Sequence, residues 1–160
     1  MSGSTLYDDD ILLWSEQQAA AIRKLGATRR DLPNELDIEN VAEEIESVGR
    51  SELAAVKSHI RLILLHLIKL VAEPQSQAAP HWRSEIAGFH SEMIERYAPS
   101  MRQRVDLNSL WRSAREQSML AYDGAQRQVV AELSTSCPFG LDDLLAERID
   151  SAALLQRLQR

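Results

Sequence analysis

The sequence predicts an all-α fold: a single-domain bundle of roughly five to seven helices with no sheet. Three observations lead there. Ala, Leu, Glu, Gln and Arg dominate while Gly and Pro number only 6 and 5, so the intrinsic bias is helical. Apolar residues recur at steps of three and four through most of the 160 residues, the spacing of a helix face. No stretch alternates apolar and polar residues as a half-buried strand does. The length suits one substantial core, with residues 1–146 as the bundle and 147–160 as a C-terminal helical tail.

A first helix is expected from Asp8 to Leu25. Asp8, Asp9 and Asp10 suit a helix start, Gly26 suits the position just past its end, and Ile11, Trp14, Ala21, Ile22 and Leu25 form the inner face. Residues 26–36 read as a loop around Pro33. A second helix opens near Asp37 with an apolar seam through Ile38, Val41, Ile45 and Val48. Gly49 is expected to end or bend it, and Ser51 to cap the third. That helix carries Leu53, Val56, Ile60, Ile63, Leu67 and Leu70. The two seams are out of phase by one residue, so a break or kink is expected at Gly49-Arg50. Leu62, Leu65 and Ile68 make the end of the third helix apolar nearly all round, which marks it as the most buried element.

Pro74 to Pro80 forms a connection, and Pro80 fits the first turn of the next helix. Trp82, Ile86, Phe89, Met93 and Tyr97 share a face of that helix, which stops before Pro99. One long helix is expected from Asp106 to Leu133, a break from Ser134 to Gly140, and one or two helical pieces from Leu141 onward. Trp14, Trp82 and Trp111 fall on apolar seams and read as core. In the tail, Ile149, Leu154, Leu155 and Leu158 with Arg148, Arg157 and Arg160 form an amphipathic helix. A helix this short needs a surface to cover its leucines: a groove on the same bundle, or the equivalent surface of a second subunit in a two-fold homodimer.

Four segments together resemble a known family. They are Leu6-Tyr7-Asp8 with Trp14; Leu36-Asp37 through Asn40, Glu43-Glu44-Ile45-Glu46 and Gly49-Arg50-Ser51-Glu52; Leu65-His66-Leu67 with Lys69; and Cys137-Pro138-Phe139 before Leu141. Their order and spacing resemble the bacterial family catalogued as domain of unknown function number twenty-nine, over about residues 6–145. The resemblance implies an all-helical fold and carries no activity, substrate, cofactor or catalytic residue with it. The last fifteen residues lie outside its pattern.

Composition narrows the function classes. The net charge is −6, which disfavours non-specific nucleic-acid binding. The acidic amino terminus is unlike a signal peptide, and the apolar stretch Leu62 to Val71, interrupted by His66 and Lys69, is too short to span a bilayer. With a single cysteine, Cys137, no intrachain disulfide forms and a reducing, cytoplasmic compartment is expected. Cys137 beside Pro138 has no basic neighbour or helix start to lower its pKa, so it is not read as a nucleophile.

Two constellations carry candidate chemistry. Glu39, Glu43, Glu46 and Arg50 fall on one side of the second helix with Glu44 flanking. Such a stripe is either a binding surface for a cation or basic ligand, or a solvated face tied by i,i+4 pairs. His66 lies in the most apolar stretch and reads as a core histidine bonded to a carboxylate, carbonyl or tyrosine. With Arg61 it also gives an Arg-x-x-x-x-His spacing similar to that of the metal-independent ribonucleases among the HEPN proteins. There the pair would stabilise phosphate charge and move a 2′-hydroxyl proton. On a regular helix, however, Arg61 and His66 diverge by ~140°. No Glu-x-x-His, His-x-x-x-His or Cys pair occurs, so no metal ligand set and no cofactor are expected. The leading expectation is a non-enzymatic interaction protein that holds an unknown protein partner or itself. The alternative is a small ribonuclease-like or metal-assisted enzyme centred on His66.

Overall fold

The computed structural model describes residues 5–159. Among these are eight α-helices and one 3₁₀ helix, with no strand. The α-helices are α1 (Leu6–Asp9), α2 (Ile11–Thr28), α3 (Ile38–Ala72), α4 (Ala79–Arg96), α5 (Leu107–Ala121), α6 (Gly124–Glu132), α7 (Leu141–Leu144) and α8 (Ser151–Leu158); the 3₁₀ helix is Pro99–Arg104. The all-α expectation holds, and no helix is long and apolar enough to cross a membrane among the described residues. The chain groups into two compact units, and α3 runs from one into the other. Of the described residues, the first comprises those up to Ala55 with Arg96–Arg104; the second comprises Val56–Glu95 and those from Val105 onward.

In the first unit, the expected first helix divides at Asp10. The Asp10 carboxylate accepts from the Leu13 N–H at 3.0 Å, which caps α2. It also accepts from the Ser100 N–H at 2.8 Å and the Ser100 hydroxyl at 2.7 Å, so one buried side chain anchors the 3₁₀ helix to the start of α2. Gly26 lies within α2 rather than past its end. The buried face of α2 is Leu12, Ser15 and Ala19, not the expected row, and Leu25 is exposed.

α3 is a single helix of 35 residues, so the expected break at Gly49 is absent. The physical reason lies in which face is buried. Ala42 and Gly49, not Val41 and Val48, are the buried positions of its first half. On a wheel of ~100° per residue, Ala42 and Gly49 continue the same face as Val56, Ile60 and Leu67. The phase mismatch therefore vanishes once the small residues are taken as the seam. A Cβ on Gly49 would sit 2.1 Å from the Ser15 hydroxyl and 3.0 Å from the Leu12 Cα, and one on Gly26 would sit 2.6 Å from the Ile38 Cγ2. Glycines at these points let the two helices approach closely. The large apolar residues beside the seam, Val41 and Val48, are left 38% and 43% exposed.

The second unit is built on the rest of α3, the expected hub. Val56, Ile60, Ile63, Leu64, Leu67 and Ile68 are fully buried, as are Ile86 and Met93 of α4 and Trp111 and Ala114 of α5. Trp111 is core, and its indole N–H donates to the Ser134 carbonyl at 2.9 Å. Trp14 and Trp82 are only half-buried: Tyr7 meets the first edge-on at 4.8 Å, and the Lys69 ammonium lies 5.7 Å from the ring of the second. The single helix expected from Asp106 to Leu133 is instead α5 and α6, parted at Tyr122-Asp123. Gly124 has a φ of +55°, the left-handed region glycine enters at least cost. In the tail, Leu154 and Leu158 are buried, Arg157 pairs with Asp143 at 2.9 Å, and its guanidinium lies 5.6 Å from the Phe139 ring. The tail leucines are thus covered within the chain itself.

Candidate functional site

His66 stands among the buried leucines of α3 and is 5% exposed. Its Nδ1 lies 2.8 Å from the Leu62 carbonyl one turn earlier. A carbonyl only accepts, so Nδ1 carries a proton and donates. The other nitrogen, Nε2, lies 3.0 Å from Oε2 of Glu85 on α4. The second Glu85 oxygen lies 3.5 Å from the Nε2 of exposed His81. Phe89 meets the imidazole edge-on at 5.2 Å. Both nitrogens of His66 are therefore committed inside the protein.

Arg61 does not join this group. Its Nη1 donates to the Gln117 side chain on α5 at 2.5 Å, while His66 bonds to α4, as the helical divergence of the two positions requires. A general base must reach the proton it takes, through a nitrogen open to substrate. Here the arginine and histidine face different helices and the histidine is sealed. His59 is tilted against Phe89 at 6.3 Å, with its buried Nδ1 lacking a hydrogen-bond partner among the described residues.

The acidic stripe of α3 meets α2. Arg23 reaches Glu39 at 2.9 Å, Glu46 at 2.9 Å and Glu43 at 3.6 Å. Arg50 pairs with Glu43 and lies 3.8 Å from Glu46. Two guanidinium groups thus occupy the space between three carboxylates, and the cluster ties the two helices together. Hydrogen bonds to Glu39, then Glu46, hold Arg23 still more firmly protonated. Glu44 is exposed and its carboxylate has no partner among the described residues. No three His, Cys, Asp or Glu side chains of the described residues converge as a metal site would need. Burial pushes the Cys137 thiol upward, partly offset by a hydrogen bond from the Phe139 backbone and by the Arg157 charge, so it is no activated nucleophile.

Sequence reasoning names Glu39, Glu43, Glu46, Arg61 and His66, and Arg50 as a partner on the same helix, but not the residues that engage them from other helices. Arg23 lies 16 positions before Glu39, Glu85 lies 19 after His66, and Gln117 lies 56 after Arg61. No local pattern encodes such pairings. Buried His90, which meets the Ala146 carbonyl at 2.9 Å and so holds the approach to α8, is missed for the same reason.

The first unit also leaves an apolar strip open. Val41, Ile45 and Val48 share a strip of α3, with the outer two exposed and Ile45 half-buried. Leu36, just before the helix, is 41% exposed. Glu44 sits ~70° from the middle of this strip and lines its edge.

The family described as "Domain of unknown function DUF29" matches residues 6–149. No curated protein matches the chain. A crystal structure described as an alpha-helical protein of unknown function, from Rhodospirillum rubrum, is 33% identical with a TM-score of 0.84. The similarity covers 97% of this chain and 98% of that one. So small an uncovered remainder cannot contain the whole 147–160 tail, so the similarity reaches into it.

Proposed function

For this chain, which belongs to the DUF29 family of domains of unknown function, we propose a non-enzymatic role: a cytoplasmic helical interaction protein that receives a partner on the exposed strip of α3. The observation that carries the proposal is the strip itself. Val41 and Val48 stay in water although the helix buries its small residues alongside, and a row of exposed large apolar side chains marks an interaction surface. The occupant is a helix with an apolar face and Lys or Arg at its edge, because Glu44 and Glu35 lie exposed without partners among the described residues and give the surroundings a negative charge. Sealed His66 and the separately engaged Arg61 support no catalytic pair.

The test places a photo-crosslinking side chain at Val48 in cells of the native host. A discrete crosslinked protein is expected, and it disappears when Val41→Glu is added while circular dichroism stays unchanged. A product of twice the chain mass makes the partner a second copy. Absence of any discrete product, or one that survives Val41→Glu, overturns the assignment of this surface.

A further inference from the structure

The second unit carries an open surface groove of about 670 Å³ lined from α5 by Arg112, Arg115, Glu116, Met119 and Leu120, and beyond by Ala131 of α6. That volume lies in the range of small-molecule sites, which are apolar with a few convergent polar groups. The charges are unbalanced: two guanidinium groups face one carboxylate. Among the described residues Arg112 has no hydrogen-bond or ion-pair partner. Arg115 is poorly satisfied. Its Nη2 reaches the Val130 and Ala131 carbonyls only at 3.5 and 3.4 Å, and its buried Nε has no acceptor. An arginine left with a buried unsatisfied donor is primed to turn toward a better acceptor. Leu120 is 86% exposed at the rim, which adds apolar surface that the fold does not use.

We infer that this groove binds an amphipathic organic anion: a carboxylate held by Arg115 and Arg112, with an apolar body lying against Met119, Leu120 and Ala131. The fork of a guanidinium matches a carboxylate with two parallel hydrogen bonds. Entry of the headgroup replaces the two long carbonyl contacts of Arg115 and supplies its missing acceptor. A neutral molecule of the same length gains the apolar contact but not this exchange. A cation meets net positive charge.

The test titrates the full chain with sodium octanoate and, separately, with 1-octanol, following amide shifts by NMR. Octanoate is expected to bind saturably and to shift the Met119, Leu120 and Ala131 amides. Binding of 1-octanol is expected to be at least about tenfold weaker, the size of one charge-assisted hydrogen bond. Arg115→Gln removes the main contact, and should it impair folding, Arg112→Gln, exposed and without partners, serves instead and weakens octanoate by about tenfold while leaving 1-octanol unchanged. Equal affinity for the acid and the alcohol, no saturation, shifts confined to other residues, or unchanged octanoate affinity in Arg112→Gln overturns the inference.

Discussion

Two glycine-to-alanine substitutions should move stability in opposite directions. Within a helix, Gly→Ala by itself stabilises by about 0.5–1 kcal/mol, because the unfolded chain has less freedom to lose. At Gly88, in the middle of α4, an added Cβ meets nothing within 4 Å, so Gly88→Ala gains roughly that amount. At Gly49 the same methyl falls 2.1 Å from the Ser15 hydroxyl, 3.0 Å from the Leu12 Cα and 3.1 Å from the Leu12 Cδ1. No rotamer relieves the contact with Leu12 Cα, which is backbone, and Ser15 is held by its hydrogen bond to the Leu12 carbonyl at 2.9 Å. The helices must move apart, at an overpacking cost of about 1–3 kcal/mol. Subtracting the propensity gain at the middle of both ranges leaves Gly49→Ala destabilised by about 1 kcal/mol, and by up to about 2.5 kcal/mol at their extreme, so Tm falls by about 3 °C at the middle value for a chain of this size. Urea unfolding followed by far-UV circular dichroism measures both variants. Gly49→Ala melting with or above the wild type would refute the close seating of α2 on the small-residue face of α3.

The packing leads to three further outcomes. Ile63→Ala and Leu67→Ala remove fully buried side chains from the hub of the second unit and should each cost on the order of 2–5 kcal/mol in denaturant unfolding; losses below about 1 kcal/mol for both would misplace the hub. His66→Ala strips two buried contacts and should cost roughly 1–3 kcal/mol, with His66→Gln recovering part of it by keeping a polar group; equal melts for the two variants would show that the hydrogen bonds contribute nothing. Asp10 is held below the usual carboxylate value: burial opposes its ionisation, but hydrogen bonds from Ser100, Leu13 and Leu12 outweigh that. A carboxyl depressed in the folded state contributes fully above its ordinary value near 4 and loses that contribution as pH falls through the folded value. Asp10→Ala should therefore be destabilised by about 1–3 kcal/mol at pH 7, with the gap from wild type narrowing below about pH 4; a gap that widens in acid would contradict the assignment.

The second half of α3 was legible in the sequence because its seam is made of large aliphatic residues, and hydrophobic periodicity reports large aliphatic residues. The first half misled for the same reason. Its close approaches to α2 fall at glycines, Gly26 against Ile38 and Gly49 against Ser15 and Leu12, and its other buried position is Ala42; such small residues carry little apolar weight but set how closely two backbones approach. Val41, Ile45 and Val48 carry the weight and form the neighbouring strip. Periodicity alone takes the strip for the seam, puts it out of phase with the Val56-to-Leu70 seam, and breaks a helix that is continuous. The acidic stripe shows the same division. Its residues, Arg50 among them, were visible as a one-sided set on a helix, but the second arginine that fills it, Arg23, comes from another helix.

The sequence by itself determined that the chain is helical, where α3, α4 and α5 begin, and that α3 supplies the core of the second unit. These features arise from local preference and from the burial of large side chains, both of which are written within a few turns of chain. Tertiary structure alone decided that Gly49 is a contact rather than a break, that His66 is bonded to Glu85, that Arg61 turns away to Gln117, and that the tail leucines are covered by their own chain. Each of these depends on which distant segment comes to lie against a helix face. That choice is made by close fit and by the satisfaction of buried polar groups, and neither leaves a period in the sequence.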